Sequence, residues 1–98
     1  MDVNYELNGT SFRWDAAKAK ANPGKHDGVT FVQAASVFFD PFFRMVDASR
    51  NDEDRNAVIG FDAQARLLFV VHLELEIEYI RIISARKATR IEREFYDS

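Results

Sequence analysis

The 98 residues carry 13 Lys and Arg against 16 Asp and Glu, for a net charge of −3, with 47% hydrophobic residues and no cysteine. That length fits one domain with one core, and the apolar content excludes a disordered chain. The missing cysteine excludes disulfides, thiolate zinc sites and thiol nucleophiles.

Residues 1–14 read as an entry strand, with Phe12 and Trp14 on one face and Arg13 on the other. Asp15 stands as the N-cap of a helix-forming run from Ala16 to Ala21, which Asn22-Pro23-Gly24 is expected to stop. Asp27-Gly28 marks a further turn. Thr30 and Gln33 have capping-box spacing ahead of a second helix, whose apolar stripe is Phe31, Ala34, Ala35, Val37 and Phe38 and which Asp40-Pro41 ends. Strands are expected at residues 42–48, 57–61 and 67–71, the last a continuous apolar run suited to a central position, with a polar turn over 49–53 and a loop over 62–66. Alternation continues from Val71 to Ser84, too far for one strand, so a hairpin turn is placed near residues 75–77. A last helix is expected from Ser84 or Ala85. It would carry Arg86, Arg90 and Arg93 at i, i+4 and i+7 as a cationic stripe. Grouped strands and helices predict an α+β fold: an antiparallel sheet of three to five strands, two N-terminal helices and a C-terminal helix, with the helices on one sheet face. Residues 1–98 form one domain in this reading.

No apolar run reaches the ~18 residues of a spanning helix. Asp2 and Glu6 stand where a signal sequence would be basic and then apolar, so a cytoplasmic protein is expected. The net charge hides an asymmetry. Residues 1–80 sum to −5 and residues 81–98 to +2, and five cations between Arg81 and Arg93 face only Glu92. Local potential decides whether a polyanion is held, so a site near the C-terminus stays open despite the net −3. The two histidines are far apart and no spaced acid cluster accompanies them, so no metal or other cofactor is expected. Phe38-Phe39 and Phe42-Phe43 cannot all point inward from a helix end and its turn, which predicts an exposed apolar patch and a protein partner.

The run from Arg81 to Arg90 (Arg-Ile-Ile-Ser-Ala-Arg-Lys-Ala-Thr-Arg), with Glu92-Arg93 and Tyr96, resembles the C-terminal signature of the BrnT family. So do Phe12-Arg13-Trp14-Asp15, Lys18, Asn22, Lys25-His26, Gly28-Val29, Phe31, Ala34, Val37-Phe38 and Asp40-Pro41, and the strand from Leu67 to His72 after Gly60. Two stretches differ from the family pattern. Asp54-Arg55-Asn56 stand where the family usually has Glu-Arg and an aromatic, and Leu73 to Glu78 bring three glutamates into the hairpin. The resemblance implies a type II toxin of RelE-like ribonuclease fold that cleaves RNA, free or on the ribosome, and arrests translation. It also implies a BrnA-type antitoxin partner in a heterotetramer, with DNA reached only through that antitoxin.

RNA cleavage without a metal needs a base for the 2′-hydroxyl, an acid for the leaving 5′-oxygen and cations on the phosphorane. Arg81 and Arg86 are the expected phosphate clamp, because the guanidinium fork matches two phosphate oxygens. Arg81 also reads as a sheet-rim residue paired with one of the nearby glutamates. Lys25, His26 and Asp54 are the candidate proton-transfer groups. Lys87 and Arg90 are expected to touch RNA, although Arg90 equally fits a solvated helix face. His72 reads as a packed histidine, and Asp52 and Glu53 as a solvated turn. Two other readings stand beside the nuclease: a catalytically degenerate toxin homologue that binds protein in operon autoregulation, and an inhibitor that binds ribosomal RNA without cutting it.

Overall fold

The expected entry strand is a hairpin. β1 (Asp2–Leu7) and β2 (Thr10–Asp15) pair antiparallel across Asn8-Gly9, both at positive φ. Asn-Gly suits that two-residue turn because both residues tolerate left-handed backbone, and this short signal marks the break in the sequence. The computed structural model describes residues 1–49, 54–75 and 78–98. Residues 50–53 of the turn expected over 49–53, including Asp52 and Glu53, and residues 76–77 of the hairpin turn expected near 75–77 lie outside the described residues.

α1 (Ala16–Lys25) begins where the Asp15 carboxylate accepts the Lys18 amide at 3.0 Å. It does not stop at Asn22. Pro23 lies in the last turn, and the reversal comes at Asp27 and Gly28, both at positive φ. The Gly28 amide closes the end by donating to the Pro23 carbonyl at 2.8 Å. α2 (Phe31–Ser36) carries the expected Thr30–Gln33 capping box and passes into a 3₁₀ turn over Val37–Phe39, which ends at Asp40. β3 (Arg44–Asp47), β4 (Asn56–Phe61), β5 (Leu67–Leu75) and β6 (Tyr79–Lys87) follow, then α3 (Arg90–Asp97).

The six strands form one sheet in the order β1-β2-β6-β5-β4-β3. The sheet is mixed: β2 runs parallel to β6, and the remaining neighbours are antiparallel. This corrects the expected antiparallel sheet of three to five strands. The split N-terminal hairpin adds a strand, and the return of β6 to the centre makes the parallel pair. The run Leu67 to Val71 does lie in an interior strand.

The last helix also differs from expectation. Residues 84–87 belong to β6, so Arg86 does not share a helix with Arg90 and Arg93. The helix starts at Arg90 because Thr89 and Glu92 form a capping box. Thr89 and Glu92 have the same spacing in the sequence as Thr30 and Gln33.

Phe12, Trp14, Val29, Phe31, Ala34, Ala35, Val37, Val58, Leu68, Val70, Ile82 and Ala85 are buried together between α1–α2 and one sheet face. His72 joins that face, fully buried and edge-on to Phe38 at 4.9 Å between ring centres. Gly60 is needed where the sheet meets the 3₁₀ turn, since a Cβ there would lie 2.9 Å from Val37 Cγ1. α3 lies on the opposite face, so the helices do not share one side. Cross-strand register aligns Arg44, Ile59, Phe69 and Arg86, and α3 docks on that row. Phe95 lies under Arg44, Glu92 pairs with Arg86, and Tyr96 meets Phe61 edge-on. Phe42 is 74% exposed, with Phe39, Phe43 and Met45 also exposed, as the crowding of phenylalanines predicted. Among the described residues no helix is long and apolar enough to cross a membrane.

Candidate active site

The α3 face acquires Ser84 and Arg86 through an irregularity in β6. Val71 pairs with Ser84 but His72 pairs with Ile82, leaving Ile83 as an extra residue on β6. A bulge of this kind re-aims the side chains beyond it. Without it Ser84 and Arg86 would share the core face with Ile82. With it, Ala85 takes the core position opposite Val70, and Ser84 and Arg86 turn to the face that bears Phe69 and Val71.

Arg86 lies over the Phe69 ring at 4.2 Å. Its guanidinium donates to both Glu92 oxygens, at 2.8 and 2.9 Å. These bonds hold Arg86 cationic, above its ordinary pKa, against the opposing effect of burial. For Glu92, burial works to raise the carboxyl, but Arg86 and the Thr89 amide outweigh it and keep the carboxyl below the ordinary range.

Around Arg86 opens a cavity of about 350 Å³ lined by Asp47, Ala48, Ser49, Arg55, Phe69, Val71, Ser84 and Arg86. Beside it a second cavity of about 240 Å³ is lined by Lys18, Asn22, Lys25, His26, Arg55, Ile83 and Ser84. Arg55 and Ser84 line both, so the two are halves of one cleft. α1 supplies Lys18 and Lys25, its C-cap is His26, the segment before β4 supplies Arg55, and the bulged strand supplies Ser84 and Arg86. The lining carboxylate is Asp47, which the Ser49 hydroxyl and amide hold below the ordinary carboxylate pKa.

The expected site residues therefore divide. Lys25, His26 and Arg86 come together in this cleft. Arg81 lines neither half. Its fork donates to both oxygens of Asp2, at 2.9 and 3.0 Å, so its partner is an aspartate of β1 and not one of the nearby glutamates expected. Asp54 is exposed and lines neither half, while its neighbour Arg55 does. Lys87 is exposed, and strand alternation turns it away from Arg86. Arg90 is almost fully exposed on the first turn of α3, 3.7 Å from Glu94. Sequence reasoning missed Lys18, Arg55 and Ser84 as cleft residues. The lysine's signal was its place one and two helical turns before Asn22–Lys25. The serine's was the lapse of strict alternation after Ile83.

A cleft that sets four cations and a histidine against one lining carboxylate has the charge to suit an anion, as surfaces that nucleic-acid enzymes present to phosphates do. The family model described as "Ribonuclease toxin, BrnT, of type II toxin-antitoxin system" matches residues 14–92, and the chain belongs to that family. No curated protein matches it. Membership makes it a ribonuclease toxin of a type II toxin–antitoxin system, with an antitoxin as partner.

Proposed function

We propose that the cleft cleaves RNA without a metal, by attack of a 2′-oxygen on the adjacent phosphorus as the bond to the 5′-oxygen breaks. The products are a 2′,3′-cyclic phosphate and a 5′-hydroxyl. Arg55 and Arg86 clamp the phosphate, and their fixed forks stabilise the charge that gathers on its oxygens. Lys25 and His26, side by side at the end of α1, take the proton from the 2′-hydroxyl and return one to the leaving oxygen. Lys18 and Ser84 hold neighbouring phosphate and sugar oxygens. Arg81 and Asp54 stand apart from this set, and Lys87 and Arg90 remain contacts for RNA beyond the cleft. The reading rests on one observation: two cavities joined at Arg55 and Ser84 gather cations from three separate segments of an acidic chain.

In this reading the antitoxin is of BrnA type and forms a heterotetramer with the toxin, so DNA is reached only through it. The fold is expected to be RelE-like and the protein cytoplasmic. The test is digestion of a defined RNA oligonucleotide by wild type and Arg55→Ala. Cyclic-phosphate products are expected, with kcat/KM lowered about 10²–10³-fold in the variant, the effect of removing one donor from a developing oxyanion. Equal cleavage by both proteins sinks the clamp.

A second reading has its own observation. Glu92 already occupies the Arg86 fork, which fits a non-cleaving homologue that binds its antitoxin and regulates its operon. Tight antitoxin binding with no RNA cleavage selects it.

A further inference from the structure

β6 has a strand on only part of its β2 side. The parallel pairing holds Phe12 against Ile80 and Arg13 against Arg81, after which β2 passes into α1. The backbone of β6 beyond that point needs other partners, because buried amides and carbonyls do not go unpaired. Asn22 supplies them. It is 4% exposed. Its Nδ2 donates to the Ala85 carbonyl at 2.8 Å and to the Val29 carbonyl at 2.8 Å, and the Ala85 amide donates to its Oδ1 at 3.4 Å. Its backbone carbonyl accepts the His26 amide at 2.9 Å. One residue is thus bonded both to the strand that bears Ser84 and Arg86 and to the helix end that bears His26.

We propose that Asn22 is a positioning residue for RNA cleavage: its carboxamide locks the bulged segment of β6 in register and ties it, through the Val29 carbonyl, to the chain just beyond His26. This rests on the cleft being the cleavage site. The segment needs a lock because a bulge interrupts the ladder, and a one-residue slip would turn Arg86 to the core face. Only a carboxamide offers two donors and an acceptor in one plane. Aspartate has no donor, and serine is too short to reach both carbonyls with one hydrogen. Asn22 itself touches no reacting atom.

The test compares Asn22→Ala with Val58→Ala, a truncation within the core between α1–α2 and the sheet, in the full chain at a temperature where circular dichroism shows both folded. With an RNA oligonucleotide, Asn22→Ala is expected to lower kcat about 10–100-fold while KM stays within about threefold, and Val58→Ala to keep the wild-type kcat. A wild-type kcat in Asn22→Ala, or an equal loss in Val58→Ala, overturns the proposal. Should Asn22→Ala fail to fold, Asn22→Ser retains one donor. A partial loss of kcat in it supports the lock and an unchanged kcat overturns it. Amide hydrogen exchange separates this claim from the reading beneath it. If the wild type cleaves no RNA, the cleavage reading fails. The lock is then judged by whether the Ala85 amide, which donates to Asn22 Oδ1, loses protection in the Asn22 variants and not in Val58→Ala; retained protection refutes it.

Discussion

Replacing Tyr96 by Phe tests how α3 is held on the sheet. No residue of α3 is fully buried, so its docking depends on a few directed contacts. The Tyr96 hydroxyl donates to Asp40 Oδ2 at 2.7 Å, and the same oxygen accepts the Phe61 amide at 2.8 Å. Burial works to raise the Asp40 carboxyl, but the Phe61 amide, the Tyr96 hydroxyl and the Phe42 amide outweigh it and hold it below the ordinary value of 3.8. Burial first, and then Asp40, push the Tyr96 hydroxyl from 10.0 up to about 12. A hydrogen bond to a charged group contributes about 1.5–3 kcal/mol. The pair is only half-buried and the phenylalanine keeps the ring contact with Phe61, so the low end applies, about 1.5 kcal/mol. For a domain of this size that lowers Tm by roughly 6–12 °C. The pH dependence gives a second reading. Tyr96 has a raised folded-state pKa, so its contribution is complete below pH 10 and is lost as pH rises towards about 12. Asp40 has a depressed one, so its contribution is present above 3.8 and is lost as pH falls through the lowered value. Urea titrations of wild type and Tyr96→Phe from neutral to alkaline pH should therefore show a gap that closes across pH 10 to about 12. A neutral-pH difference under about 0.3 kcal/mol, well below the range for such a bond, would refute the argument. So would a gap that persists unchanged in strong alkali.

Other outcomes follow from the same geometry. Glu92→Gln releases the Arg86 fork; RNA should bind several-fold more tightly at low salt, with a salt slope steeper by about one, as measured by fluorescence anisotropy. The same variant should flatten the acid limb of stability below 4.5, because Glu92's depressed carboxyl loses its contribution only as pH falls through its folded value. Arg81→Ala should leave RNA cleavage within about threefold of wild type, since its fork serves Asp2; a loss as large as in Arg55→Ala would return Arg81 to the clamp. Gly60→Ala should cost about 1–3 kcal/mol in chemical denaturation, because its Cβ meets Val37 at 2.9 Å and Asp40 and Phe43 at 3.2 Å.

Much of this protein was legible before any fold was known, because the signals were local. Asp15 and Thr30 cap helices through their own neighbours, Asp27-Gly28 supplies the left-handed turn, and the apolar run from Leu67 needs burial on both sides. Thr89–Glu92 and Asn8-Gly9 were equally local, so the helix start and the first hairpin were available to the same reasoning. The spaced residues from Phe12 to Tyr96 carried the resemblance to the family. What tertiary structure alone decided depends on contacts between segments far apart. The parallel β2–β6 pair joins residues about seventy positions apart. The bulge at Ile83 exists only against β5, and it turns Arg86 into the cleft. Arg81 and Arg86 look alike in sequence, yet Asp2 takes one fork outside the cleft and Glu92 holds the other at its wall. The count of −3 was correct as a sum; the fold decided where the cations meet, because potential follows distance in space and not order along the chain.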